Sequence, residues 1–533
     1  MSFFDRLFSK PAVKAVDLLQ QISKRAEDLT LDEQAKSFVA IRRIDGALKN
    51  RDSRILFGRR GTGKTHVLSY VAKSARDSGD TVCTLDLRTL GSNNSIYADS
   101  SLSPSARATR LIRDVVVAIH DRLLDAYTEP GSKFSGAGLE KAIDEFGGCV
   151  KSVFVSETRE VRERTRSGSE TEFASTAGGT ISAAALSGEM RGSAKRVNDV
   201  AKEMEVSTVT SPKLSVNMGD AYKTLNSVAG SAKGRIWILI DEWSSVPELL
   251  QPYLADFLRR AILPVQSITV QVAAIEYRSR FRVDHDGDRI GLELGADISA
   301  DINLDDYFVY DVSPVTATEF FKNLLFRHLQ AFAGDRDLNE KSPDEVISAI
   351  FSQDRVFGEL VRASEGVARD FINVLQLAAM RSDETKISMS EIRSASKDWF
   401  ERDKQRNIDT NDKALALLDW LRDRVIDKKK ARAFLINVSA SEPTIDFLFD
   451  ERVLHIARRS YSAKDDPGER YRVWKVDYGC YVDLINTAKN PAGFIFEGTE
   501  MKEGGDIEVP DDDYRAVRRA VLDIAEFSKE YSS

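Results

Sequence analysis

Gly58-Arg59-Arg60-Gly61-Thr62-Gly63-Lys64-Thr65 is the stretch on which the fold turns. The short apolar run Arg54-Ile-Leu-Phe57 precedes it, and the residues that follow, 66–77, place apolar side chains at helical spacing. A glycine-rich loop between a strand and a helix lets backbone N–H groups converge on a chain of phosphates, and the helix N-terminus adds a favourable dipole. The stretch fills every fixed position of the Walker A pattern. Lys64 stands where it would neutralise the β- and γ-phosphates of a nucleoside triphosphate, and Thr65 where its hydroxyl would meet Mg²⁺. The expected ligand is ATP with Mg²⁺, held by Gly58, Arg59, Arg60, Gly61, Thr62, Gly63, Lys64, Thr65 and His66.

Outward from this loop the pattern alternates strand with helix. Thr81 to Leu87 reads as a second strand and Ala106 to Tyr127 as a long amphipathic helix. Arg235 to Glu242 and Ser267 to Ile275 are nearly unbroken apolar runs, the signature of central strands buried on both faces. A fifth strand is predicted at Tyr307 to Val312. The sum is an α/β parallel sheet with helices on both faces. Asp241, at the end of the third strand, is placed to hold Mg²⁺ through water, and Glu242 to orient and deprotonate an attacking water, which makes the pair a Walker B candidate.

The chain has 533 residues, enough for about three to four domains. We read 1–50 as an N-terminal helical segment, 51–315 as the nucleotide-binding domain and 316–410 as a small helical domain. Residues 411–496 have a winged-helix outline, and 497–533 form an acidic linker with a terminal helix carrying Val517, Val521 and Ile524. Between about 128 and 218 the sequence dissolves into Gly, Ser, Thr and Ala, and a flexible insertion is expected there. The formal net charge is −8, so no global basic field draws the chain to nucleic acid. Its cysteines and histidines have neither disulfide nor zinc spacing. No run approaches the roughly 20 apolar residues of a membrane span, and residues 1–10 lack the core of a secretory signal, so a cytoplasmic protein with no membrane partner is expected.

On GRRGTGKT, ILIDEW and SEGVARDFINVL, followed by the winged-helix outline, the chain resembles the AAA+ ATPases, and within them the origin-recognition and replication-initiator-like clade. The resemblance runs from about residue 40 to 490 without the insertion. It implies an AAA+ α/β domain with a helical lid and a C-terminal winged helix. It also implies Mg²⁺-dependent ATP hydrolysis and a homo-oligomer with its sites at subunit interfaces. Arg369 matches the sensor 2 arginine that reaches the γ-phosphate. Arg278, Arg280 and Arg289, with Arg259 and Arg260 as competitors, stand where a neighbour-completing arginine finger would fall. Sensor 1 is usually a small polar residue closing the fourth strand, and here that strand ends at Glu276.

The winged-helix outline leaves its partner open. The segment 441–451 is acidic where a base-reading helix should be basic or amide-rich. Lys428, Lys429, Lys430, Arg432 and the wing residues Arg458, Arg459, Lys464, Arg470 and Arg472 are available to grip DNA phosphates, and the same face could meet protein. Two functions follow. One is an ATP-driven assembly that loads on or remodels DNA or a DNA-bound partner. The other is a nucleotide switch of a bacterial defence system that recruits a separate effector protein.

Overall fold

Short strands and amphipathic helices succeed one another as the hydrophobic spacing requires. The computed structural model describes residues 28–90, 101–130, 132–160, 206–285, 288–310, 312–333, 342–382, 386–428, 431–440, 442–462, 468–486 and 521–532, with 19, 20, 22, 23, 97 and 99. Lys429, Lys430, Lys464, Val517 and the acidic stretch 497–513 lie outside them. The strands in chain order are β1 (Arg54–Phe57), β2 (Thr81–Asp86), β3 (Val150–Glu160), β4 (Val206–Val216), β5 (Ile236–Asp241) and β6 (Ile268–Ala274). They continue with β7 (Arg282–His285), β8 (Asp288–Gly291), β9 (Ser299–Asn303), β10 (Ala433–Asn437), β11 (Leu454–Ser462) and β12 (Arg470–Val476). The chain divides into two compact units, Met1–Val150 with Val216–Ser533, and Lys151–Ser215.

The larger unit is built on a five-stranded sheet in the order β2-β5-β6-β1-β9, with every adjacent pair parallel. β5 and β6 are central, which is why they read as continuous apolar runs. The helix Lys64–Asp77 covers one face, packing Val67, Leu68 and Val71 over Leu56, Leu239 and Ala273. The helix Pro104–Thr128 covers the other with Leu111, Val115 and Ile119. The fifth strand differs from expectation. It is β9, a polar edge strand of sequence SADIN, whereas Phe308 stacks on Phe320 at 3.6 Å inside the helical domain's core. The aromatic run that looked like a strand is a turn feeding that core.

The insertion is also narrower than expected. Helix Leu139–Gly147 buries Leu139, Ile143 and Phe146 in the main core, so the chain is ordered well past residue 128. β3 and β4 then pair as a two-stranded sheet in and around the smaller unit.

Helices Pro314–Ala333, Pro343–Ile350, Asp354–Ala363, Ala368–Arg381 and Met389–Trp399 share one core with Leu19 and Ile22 of the N-terminal segment. Gln376 fixes that segment by donating to the Leu19 and Ile22 carbonyls at 2.9 and 3.0 Å. The C-terminal region runs helix Asp412–Leu421, β10, helix Pro443–Asp450, β11, β12, with the strands forming an antiparallel sheet in the order β10-β12-β11. The terminal helix is Ile524–Ser532. Phe527 buries in the C-terminal core, while Val521, expected on the helix, is 49% exposed and lies before it.

Candidate functional site

The loop after β1 begins at the C-terminal edge of the sheet, where Gly58 N–H donates to Ala274 O of β6. Gly61 and Gly63 adopt φ of 86° and 99°, a region that side-chain-bearing residues rarely enter. At Gly61 the absence of a side chain matters twice. A Cβ there would lie 2.7 Å from the Arg369 Cβ, so only glycine lets the helix Ala368–Arg381 come this close. The Arg369 N–H uses that approach to donate to Gly61 O at 3.0 Å.

Lys64 opens the following helix, and its buried ammonium donates to Arg59 O at 3.0 Å. Burial pushes its pKa down, while the carboxylates of Asp241, Glu242 and Asp305 pull it up and Arg369 pushes it down again. A buried cation held by carboxylates at a distance is poised to exchange them for phosphate oxygens. Beside it the Thr65 hydroxyl donates to Asp241 Oδ2 at 2.6 Å. Asp241 Oδ1 accepts from the Glu242 N–H at 2.8 Å. Burial raises the Asp241 pKa, and the bonds from Thr65 and Glu242 lower it in part. This oxygen-only pair suits Mg²⁺, which usually takes one or two protein oxygens and completes its shell with phosphate and water. Among the described residues no group of three or more His, Cys, Asp or Glu could hold a metal by itself, so phosphate oxygens would have to share the ion.

Glu242 has φ of 56°, a left-handed conformation that is costly for a residue with a side chain and that turns the chain sharply out of β5. Its Oε2 accepts from Ser245 Oγ at 3.3 Å, and its Oε1 lies 3.8 Å from Arg88 Nη1. Arg88 is in turn held by Asp86 at 2.7 Å. Of these groups, Lys64, Thr65, Arg88, Glu242 and Ser245 line one cavity of about 300 Å³. Its lining includes the charged or polar side chains of Lys64, Thr65, Arg88, Glu242 and Arg369 and the less polar ones of Leu29, Leu324, His328 and Ile372. A lining that mixes cations with apolar side chains fits a polyanionic ligand that also carries an apolar group. Arg88 and His328 escaped the sequence reading, since neither lies in a motif. Arg88 could have been found from its place just beyond a parallel strand's C-terminal end.

His66 lines the cavity, but its Nε2 is 2.5 Å from Gln34 O and its ring packs edge-on to Phe38 and His328. Arg60 also lines it. Arg59 does not contribute its side chain there. It is buried on the far side of the loop, with Nε on Asp305 Oδ1 at 2.8 Å and Nη1 on Leu454 O at 3.2 Å. As a cofactor-binding residue, Arg59 has only its backbone to offer.

Arg278 is bound within its own chain, with Nε on Asp450 Oδ2 at 3.0 Å and Nη2 on Glu451 Oε1 at 2.5 Å. Arg280 is 65% exposed at its side chain and pairs with Glu248 at 3.2 Å. Arg259 and Arg260 pair with Asp256. Arg459, counted above among the residues open to DNA, instead binds Glu276 and Asp306. Arg432 binds Glu365. The acidic residues of segment 441–451 have a structural reason as well. Asp450 and Glu451 are buried against Arg278, and Glu442 receives Lys413 at 2.8 Å.

Burial pushes the Asp450 carboxyl up to about 6, with Arg278 and Arg59 pulling the other way. A raised folded-state pKa means that the folded chain binds the extra proton between 3.8 and about 6. The carboxyl's contribution to stability is therefore present at the acid end of that window and is lost as pH rises through it. The unfolding midpoint of Asp450→Asn, taken relative to the parent, is expected to rise with pH across this window. A flat difference would show that Asp450 ionises freely.

No family model matches the chain, and no curated protein matches it in sequence. Among solved structures it is similar to Cdc6p from Pyrobaculum aerophilum, at 10% identity over 90% of this chain and 97% of that one, with a TM-score of 0.29. It is similar also to the Orc1 protein of Aeropyrum pernix in complex with DNA, at 13% identity over 88% and 94%, with a TM-score of 0.28. The site's chemistry is read from its own geometry. Five parallel strands, a glycine-rich loop after β1 and a helix whose Arg369 N–H meets that loop make an α/β parallel-sheet fold.

Proposed function

We propose that the chain is an AAA+ ATPase that binds and hydrolyses ATP with Mg²⁺, assembles with further copies of itself on ATP, and acts on DNA or a DNA-bound partner. The observation that carries this reading is the contact of Thr65 with Asp241 beside Lys64, with Glu242 and Arg369 facing the same cavity. The chemistry follows from position. Mg²⁺ bound between Thr65, Asp241 and the phosphates would neutralise charge that develops on the transferred group. Lys64 and Arg369 bind the phosphate oxygens, and Glu242 orients the attacking water and accepts its proton.

Arg280 and Arg289, both exposed, are better candidates than Arg278 to reach a neighbouring subunit's site. Arg278 would first have to leave Asp450 and Glu451. Exposed Arg458 and Arg470 support contact with phosphate backbone, and nothing in the acidic helix supports reading of bases. Assembly and DNA contact are tested together by light scattering at micromolar chain concentration. A non-hydrolysable ATP analogue is expected to raise the scattering mass to that of two or more subunits. Duplex DNA of any sequence should bind the assembled form, and more weakly as salt rises. A strict monomer with analogue bound would refute assembly and favour a self-contained switch.

A further inference from the structure

The C-terminal region reaches the nucleotide loop through a continuous row of buried polar side chains. Arg59 Nη1 lies 3.0 Å from His455 Nδ1, and His455 Nε2 lies 3.0 Å from Asp477 Oδ2. Asp477 Oδ2 accepts from Lys404 Nζ at 2.5 Å, and Lys404 lies 2.9 Å from Asp370 Oδ2. Asp370 also receives Arg452 and, at 3.1 Å, the Trp399 indole N–H. It is the residue immediately after Arg369. One end of the row is thus the phosphate loop, and the other is the first turn of the helix that presents Arg369. Just before that helix, Glu365 is bound by Arg432 and by Lys475 at 2.5 Å.

The chemistry of the row fixes the state of its middle member. A guanidinium can only donate, so His455 Nδ1 must accept. Lys404 and the His455 N–H outweigh burial at Asp477 and hold its carboxyl below the usual range, so Asp477 accepts and Nε2 carries the proton. His455 is therefore the neutral tautomer with hydrogen on Nε2. Burial and the facing Arg59 push its pKa well below the ordinary value, in agreement. A neutral imidazole is the group that can accept from a cation on one side and donate to an anion on the other. Arg59, Lys404, Asp370, His455 and Asp477 are each at most 3% exposed. Buried charges are tolerated only while every one is paired, so removing the central link orphans groups at both ends.

We infer that His455 is a positioning residue for the nucleotide site, joining the phosphate loop through Arg59 to the Arg369 helix through Asp477, Lys404 and Asp370. Whatever pulls the C-terminal region away then loosens the loop and the helix together. The inference rests on reading the cavity as a nucleotide site, but its first readout needs no nucleotide.

The full chain is compared with His455→Ala, with His455→Gln, and with Leu417→Ala. Leu417 is buried in the C-terminal core and takes no part in the row. Hydrogen exchange is followed without ligand at residues 59–66 and 368–372, and ATP affinity is measured by titration. His455→Ala is expected to speed exchange in both segments at once and to weaken ATP by about tenfold. His455→Gln, whose amide both accepts and donates, should restore both. Leu417→Ala should lower the unfolding midpoint and leave both segments protected. Exchange in His455→Ala no faster than in Leu417→Ala would overturn the inference, as would failure of glutamine to rescue. If exchange responds as expected while the parent shows no affinity for ATP, the positioning role stands and the nucleotide reading falls.

Discussion

Lys64→Ala is expected to remove tight ATP binding. The lysine is the one buried ammonium lining the cavity among the described residues, and it feels the carboxylates of Asp241, Glu242 and Asp305. Without it, the β- and γ-phosphates would meet the Asp241 and Glu242 carboxylates with one buried cation fewer to offset them. Deleting one partner of a buried, hydrogen-bonded charge pair costs about 2–5 kcal/mol, which is roughly thirtyfold to several thousandfold in Kd. Titration calorimetry reads it directly. The ligand-free variant should unfold no earlier than the parent, because a desolvated ammonium has been removed along with its hydrogen bond to Arg59 O. Unchanged affinity would show that this loop does not hold the phosphates.

Glu242→Gln separates binding from chemistry. The amide keeps the shape of the side chain and can still take the bond from Ser245, but it cannot accept a proton from water. Loss of a general base lowers turnover by about 10²–10⁴-fold, and with the phosphate contacts intact the affinity for ATP should stay within a few-fold. Single-turnover assays should show ATP retained on the variant. A parent-like rate would move the base to another group, with Asp241 excluded by its bond to Thr65.

How far the sequence was legible follows from what each pattern encodes. β1, β5 and β6 were readable because a strand buried on both faces must be apolar throughout, and the glycine pattern could be placed at once between a strand and a helix. β9 was not readable. As an edge strand it buries little, so SADIN carries no periodic signal, whereas the aromatic residues near Phe308 carry a strong one for another reason. Helix Leu139–Gly147 was lost in the glycine- and serine-rich composition around it. At the site, Lys64, Thr65, Asp241, Glu242 and Arg369 stand in motifs with fixed spacing; the structure sets Lys64, Thr65, Glu242 and Arg369 in the wall of one cavity, with Asp241 bonded to Thr65. Arg88, Arg59's far-side contacts and His455 depend on which surfaces meet, which spacing does not express. The acidic helix shows the limit most clearly. A carboxylate that repels DNA and one that binds a buried arginine are written with the same letter.

Arg278 with Asp450 and Glu451 has a bearing on how such a chain can change over generations. The two sides of that contact are 172 residues apart in sequence but make one electrostatic unit. A C-terminal region borrowed from a distant homologue would bring carboxylates matched to a different arginine, or none. Grafts should therefore fail at this seam, whatever the quality of either half, unless position 278 is exchanged in the same step.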